Sequence, residues 1–76
     1  INDPVIRKEI NQVLHDAIQE LPIDYKQIFI LKEIEKLPLK EIANIYPLTI
    51  GAIKTRLHRA RLILRASLAD YFAGMK

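Results

Sequence analysis

The segment IGAIKTRLHRAR, residues 50–61, combines several cationic side chains with no carboxylate. On a helix at about 100° per residue, basic or titratable side chains stack along one flank from this segment onward. They are Lys54, His58, Arg61 and Arg65. Thr55 and Arg59 lie nearly opposite the apolar side, and Arg56 lies on the other flank. Because like charges at helical spacing repel one another, this pattern favours a helix that binds the phosphates of a polyanion.

Charge is divided unevenly along the chain. Residues 1–41 carry six Lys/Arg and eight Asp/Glu, a balance of −2, whereas residues 42–69 carry five Lys/Arg and no acid, a balance of +5. Such segregation of charge indicates a polyanion partner, because a mixture of both signs along the chain would keep the protein equally soluble. On charge alone, a solvated basic helix face explains the pattern equally well.

The totals limit the architecture to one small domain. The chain has 76 residues, of which 50% are hydrophobic, and this length is too short for two cores. It contains no cysteine, which excludes disulfides and thiolate zinc sites, and we expect neither a metal nor a cofactor. No apolar run approaches the roughly 18 residues of a membrane span, so we expect a cytoplasmic protein without a membrane partner. Because the chain begins at Ile1 rather than Met, we expect it to be a fragment of a longer protein.

Periodicity predicts an all-α fold, a four-helix bundle-like domain over residues 1–76. The leading helix, 4–20, begins with Asp3 as N-cap and Pro4 at the first helical position. Its apolar stripe consists of Ile6, Ile10, Val13, Leu14, Ala17 and Leu21. The second helix starts near Pro22 or Ile23, and its apolar block at 28–31 marks it as the central helix of the domain.

Prolines and a threonine delimit the last two helices. We expect Pro38 to end the second helix and to start a third over 39–46. Pro47 ends the third helix, because proline disfavours helical backbone in the residue before it. Thr49 is the predicted N-cap of a fourth helix that runs from Ile50 to about Phe72. Its apolar seam consists of Ile53, Leu57, Ala60, Leu64 and Leu68.

The third and fourth helices have the spacing of a helix-turn-helix, over residues 39–72. Ala43 lets the two helices approach, the turn covers Tyr46 to Leu48, and Ile53 anchors the second helix across the first. In this motif the first turns of the second helix enter the major groove of DNA. Gly51 lies in the first turn, where the missing side chain lets a phosphate approach the positive end of the helix dipole.

Residues 21–65, LPIDYKQIFILKEIEKLPLKEIANIYPLTIGAIKTRLHRARLILR, closely resemble region 4 of bacterial extracytoplasmic-function (ECF) sigma factors. The most specific part is GAIKTRLHRAR, which is similar to the recognition helix of that family. The chain departs from the family in two places. Pro47 stands in the turn where glycine is usual, and Pro38 stands where Ser or Thr usually caps the third helix.

The resemblance implies binding to the minus-35 element of promoters as duplex DNA, and no small-molecule substrate. It also implies docking on the beta flap of RNA polymerase and sequestration by an anti-sigma factor. By position, Lys54, Thr55 and His58 match residues that face bases, while Arg59 and Thr49 match residues that face phosphates. We assign Gly51 and Arg56 to the DNA backbone as well.

Three other interpretations compete with this one. An enzyme is disfavoured, because the chain has no glycine-rich phosphate loop and its two histidines, His15 and His58, lie on different helices. A helix-turn-helix output domain of a transcriptional activator or response regulator is the main alternative, since it shares the basic helix but binds paired half-sites as a dimer. A protein-interaction domain would need an exposed apolar cluster, whereas we expect Ile63, Tyr71 and Phe72 to pack on the first helix.

Overall fold

The fold consists of helices joined by short connections. The structure, a computed structural model, describes residues 3–74, without the side chains of Pro4 and Ile6. In this range the elements are α1 (Pro4–Gln19), α2 (Ile23–Phe29), a π-helical segment (Ile30–Ile34) that continues α2, α3 (Leu39–Ile45) and α4 (Ile50–Ala73). These residues include no strand, so the predicted all-α class is confirmed.

Capping side chains and a proline occupy the first positions of three helices. The Oδ1 atom of Asp3 accepts from the backbone N–H of Val5 at 2.9 Å, which confirms the predicted N-cap of α1. Thr49 caps α4 in the same way, because its Oγ1 atom accepts from the N–H of Ala52 at 3.1 Å. At the start of α3, Pro38 provides no side-chain cap, as expected for proline.

The second helix ends differently from the prediction. Helical structure stops at Ile34, four residues before Pro38, so proline is not what terminates it. The N–H of Glu35 donates to the carbonyl of Ile30 at 2.9 Å, and Lys36 then adopts a left-handed backbone with φ 60°. This conformation costs a non-glycine residue about 1–2 kcal/mol. It directs the N–H of Leu37 to the carbonyl of Leu31 at 3.0 Å, which closes the helix end.

Two buried clusters hold the helices together at different levels of α4. The first joins the end of α1 to the middle of α4 and contains Ala17, Ile18, Leu21, Ala60 and Leu64. The second joins α2, α3 and the start of α4 and contains Ile28, Ile42, Ile53 and Leu57. Phe29 packs against both clusters, which agrees with the central position predicted for the second helix.

The ends of the two long helices extend beyond these clusters. The molecule measures 43 × 21 × 16 Å, and α4 alone spans about 36 Å. Leu14 is exposed, and its predicted burial is wrong, whereas Ile10 and Val13 of the same stripe are half-buried. Ile6, another residue of the predicted stripe, lies outside the described side chains. Ile63 and Phe72 are 37% and 46% exposed, so the prediction that they are covered by the first helix is also wrong.

No helix within residues 3–74 is both long enough and apolar enough to cross a membrane.

Candidate nucleic-acid interface

A short turn orients α3 and α4 relative to each other. Tyr46 has an extended backbone, with φ −109° and ψ 130°, as expected for a residue before proline. The N–H of Leu48 donates to the carbonyl of Tyr46 at 2.6 Å across Pro47, so the chain turns tightly before Thr49 starts α4. Tyr46 and Leu48 both pack on the cluster that contains Ile53. The turn is therefore fixed by apolar contacts on both sides of the proline.

The seam of α4 is buried as the periodicity predicts. Ile53, Leu57, Ala60 and Leu64 are buried, while Leu68 is half-buried. The opposite face is open to solvent. Its exposed side chains are Lys54, Thr55, His58 and Arg59, and Thr49 and Gly51 are exposed at the start of the helix. Arg56 is half-buried on its flank. The arrangement thus exposes every residue that we expect to face bases, whereas their roles in reading DNA remain predictions.

Thr55 has a hydrogen bond that limits how it can contact a base. Its hydroxyl donates to the carbonyl of Gly51 at 3.1 Å, one turn earlier in the same helix. With the proton engaged, the outward-facing groups are the methyl group and the oxygen lone pairs. A contact with the methyl of thymine, or acceptance from a base amino group, is therefore compatible with this rotamer.

Gly51 is not required by the packing of the domain. A Cβ atom built at this position would have the Thr49 Oγ1 atom as its nearest neighbour, at 3.9 Å, an ordinary van der Waals distance. Its φ is not positive, so the backbone does not require glycine either. Since neither packing nor conformation explains the residue, the close approach of a DNA strand remains the reason we predict for it.

We expect Gly51→Ala to change stability and DNA binding in opposite directions. The substitution should stabilise the helix by up to about 0.5–1 kcal/mol, because alanine restricts the unfolded chain more than glycine does. It should weaken duplex binding, because the new methyl group stands where a phosphate approaches. Thermal unfolding and fluorescence anisotropy on one preparation measure both effects. Ala69→Gly, at an exposed position later in α4, is the control that measures the difference in helix propensity between alanine and glycine. Unchanged DNA binding by Gly51→Ala would contradict the close approach of a DNA strand to residue 51.

An ion pair connects the basic flank of α4 to the π-helical segment. The Nη2 atom of Arg61 donates to the Oε1 atom of Glu33 at 2.5 Å, and both side chains are partly exposed. Arg61 is therefore not a free member of the cationic flank. The role of Glu33 was not predicted from the sequence, because its partner Arg61 is 28 residues away and no local pattern connects the two residues.

The same contact lowers the pKa of the Glu33 carboxyl. The hydrogen bond from Arg61 is the largest cause, partial burial opposes it, and the charges of Arg61, Lys32 and Lys36 add to the lowering. Because the folded pKa is below the unfolded one, the pair stabilises the domain above the usual pKa of a glutamate. The stabilisation is lost as the pH falls through the lowered pKa. For a solvent-exposed pair it amounts to less than about 1 kcal/mol.

Residues 3–74 contain no group of three or more His, Cys, Asp or Glu side chains that would hold a metal ion. His15 and Asp16 are both exposed, and the Oδ1 atom of Asp16 accepts from the amide of Gln12 at 2.9 Å. This environment matches a solvated pair on the outer face of α1.

Comparison with known proteins identifies the family. The sequence profile described as "Sigma-70, region 4" matches residues 11–64. The chain is 38% identical over 68 residues to "ECF RNA polymerase sigma factor SigW" of Bacillus subtilis (strain 168), covering 90% of this chain and 36% of that protein. It is 47% identical over 55 residues to "RNA polymerase sigma factor SigV" of the same organism, covering 72% of this chain and 33% of that protein.

A protein from a second organism is also similar to this chain. The chain is 35% identical over 57 residues to "RNA polymerase sigma-H factor" of Pseudomonas aeruginosa, covering 75% of this chain and 30% of that protein. The chain therefore spans about a third of the length of these curated relatives. The profile match covers the second half of α1, all of α2 and α3, and α4 as far as Leu64. The chain belongs to the sigma-70 region 4 family.

Proposed function

We propose that this chain recognises the minus-35 element of promoters as duplex DNA, as region 4 of an ECF sigma factor that directs RNA polymerase in transcription initiation. The observation that carries the proposal is the exposed face of α4 over residues 50–65, which contains no acid and belongs to the second helix of a helix-turn-helix. The names of the relatives, which are RNA polymerase sigma factors, support the choice of partner. The protein acts in the cytoplasm with the polymerase.

The roles of individual residues follow from their positions on α4. Lys54, Thr55 and His58 face the bases, because they lie on the exposed arc in the turns that a helix-turn-helix inserts into the major groove. Lysine donates to guanine O6 and N7, and Thr55 presents its methyl group. Thr49 and Gly51, together with Arg56 and Arg59, contact the backbone on either side. The domain is one unit over residues 1–76 of a longer sigma factor.

Docking on other proteins is part of the proposal. Leu62, Ile63 and Phe72 are exposed in the second half of α4, beyond the turns that face DNA. Exposed apolar side chains of this size support a protein contact. The partners that we assign to this half of the helix are the beta flap of RNA polymerase and an anti-sigma factor.

The decisive experiment selects bound duplexes from a random pool, with the chain tethered to RNA polymerase. We expect one asymmetric half-site motif, because a sigma region 4 binds a single site. Two inverted half-sites at a spacing of one helical turn would instead favour the output domain of an activator, which binds as a dimer. Tethering is needed because a single small module buries only about 600–1,000 Å² on DNA, so that the isolated chain binds weakly.

A further inference from the structure

Lys36 is the one residue of the described range, other than glycine, that has a positive φ. Its backbone closes the π-helical segment, through the bond from the N–H of Leu37 to the carbonyl of Leu31. Glycine or asparagine usually occupies such a position, because a Cβ atom is strained there. The closure explains the backbone conformation, but it does not explain a lysine side chain.

The side chain of Lys36 has no packing role inside the domain. It is exposed, and within residues 3–74 the structure records neither a hydrogen bond nor an ion pair from its ammonium group. Its charge adds to that of Arg61 around Glu33, but Arg61 already bonds that carboxylate directly. Strained residues with exposed side chains are typical of functional sites, where the side chain serves a partner.

Lys36 lies in the short loop between the π-helical segment and α3. Leu37, the next residue, packs on the cluster that contains Ile53 and Leu57, which bracket Lys54 on the buried side of the same turns. Three residues before Lys36, Glu33 is bonded to Arg61. Contacts on both sides of Lys36 therefore reach α4, through the ion pair of Glu33 with Arg61 and through the cluster on which Leu37 packs. The charge of Lys36 acts on Glu33, and Arg61 lies on the same flank of α4 as Lys54 and His58.

We propose that Lys36 contacts a phosphate of the DNA strand that borders the groove entered by α4. The inference rests on the proposed function, since it assumes that the first turns of α4 lie in the major groove. Elements packed beside a helix in the groove lie over the flanking backbone, as the first helix of a helix-turn-helix does. A lysine in such a position neutralises one phosphate and releases its counterions, whatever the base sequence.

The test compares Lys36→Gly with the unchanged chain on a fluorescein-labelled 20-base-pair duplex of random sequence. Glycine removes both the charge and the strained Cβ atom, so we expect Tm to rise by roughly 4 °C. DNA affinity should fall about three- to tenfold at 0.1 M salt, and the slope of log K against log salt should decrease by about 0.9. A purely structural lysine would give the same rise in Tm with unchanged binding, which would overturn the proposal.

Three further variants separate the charge from its surroundings. Lys36→Asn tolerates the left-handed backbone without the charge and should bind as weakly as Lys36→Gly. Lys36→Arg keeps the charge and should retain the salt slope. Lys8→Gln removes a cation from the exposed face of α1 and should leave the slope unchanged. An equal loss in Lys8→Gln would show that net charge alone is responsible, and would overturn the contact.

The outcome for Arg59→Ala distinguishes this inference from the proposed function. If Arg59→Ala lowers the salt slope while Lys36→Gly does not, the Lys36 contact is wrong and DNA binding through α4 stands. If neither the unchanged chain nor its tethered form binds duplex DNA, the proposed function fails, and the Lys36 contact fails with it.

Discussion

Ile53→Ala is expected to lower the free energy of unfolding of the domain by about 2–5 kcal/mol, so that a large fraction of the molecules is unfolded at 37 °C. Ile53 is 0% exposed and packs with Ile28 and Ile42, so its removal opens a cavity where α2, α3 and α4 meet. A 76-residue domain has a total free energy of unfolding of about 4–11 kcal/mol, so this loss is a large fraction of it. Urea unfolding followed by circular dichroism measures the change.

Ile50→Ala is the matched control for this experiment. It removes the same side chain from the same helix, three residues earlier, where the isoleucine is 43% exposed. We expect a loss of less than about 1 kcal/mol, because little apolar surface returns to water. Equal destabilisation by the two substitutions would show that the anchor role assigned to Ile53 is wrong.

The second large effect concerns sequence recognition. Lys54→Ala should cost about 1–3 kcal/mol on the selected promoter duplex and much less on a scrambled one, because a base contact is lost. Arg59→Ala should weaken binding to both duplexes alike and lower the salt slope by about 1, because a phosphate contact is lost. Both side chains are exposed on α4, so neither substitution should alter the helix content.

The comparison of the two variants on two duplexes is the informative measurement. Anisotropy titrations over a range of salt concentrations give both the affinity and the slope for each combination. If Lys54→Ala and Arg59→Ala lose the same affinity on selected and scrambled DNA, the division into base-reading and backbone-contacting residues is wrong, whatever the absolute affinity.

Local signals made much of this fold predictable from the sequence. Asp3 and Thr49 are caps whose hydrogen bonds reach only two or three residues along the chain, and Pro47 acts on its immediate neighbour. The seam of α4 was predictable because its residues alternate strongly with polar ones. Each of these features depends on residues that are close together in the sequence, and such local features can be predicted from one sequence without a structure.

Features that depend on distant packing were not predictable. The π-helical segment begins at Ile30, inside an apolar block from Ile28 to Leu31 that is hydrophobic on every side, so periodicity gives no indication of a change in helical hydrogen bonding. Leu14 is exposed although it belongs to an apolar stripe, because the positions along a stripe that become buried depend on how the other helices pack against it. The bond between Glu33 and Arg61 joins residues that only the fold brings together.

The two buried clusters have a consequence for the dynamics of the protein. They share Phe29 and the backbone of α4, but no fully buried side chain belongs to both. Fluctuations that release α1 therefore need not disturb the cluster around Ile53, and we expect the two clusters to open as separate cooperative units. Amide protons of α1 would then exchange with solvent through a low-energy local opening, while those around Ile53 exchange only when the whole chain unfolds.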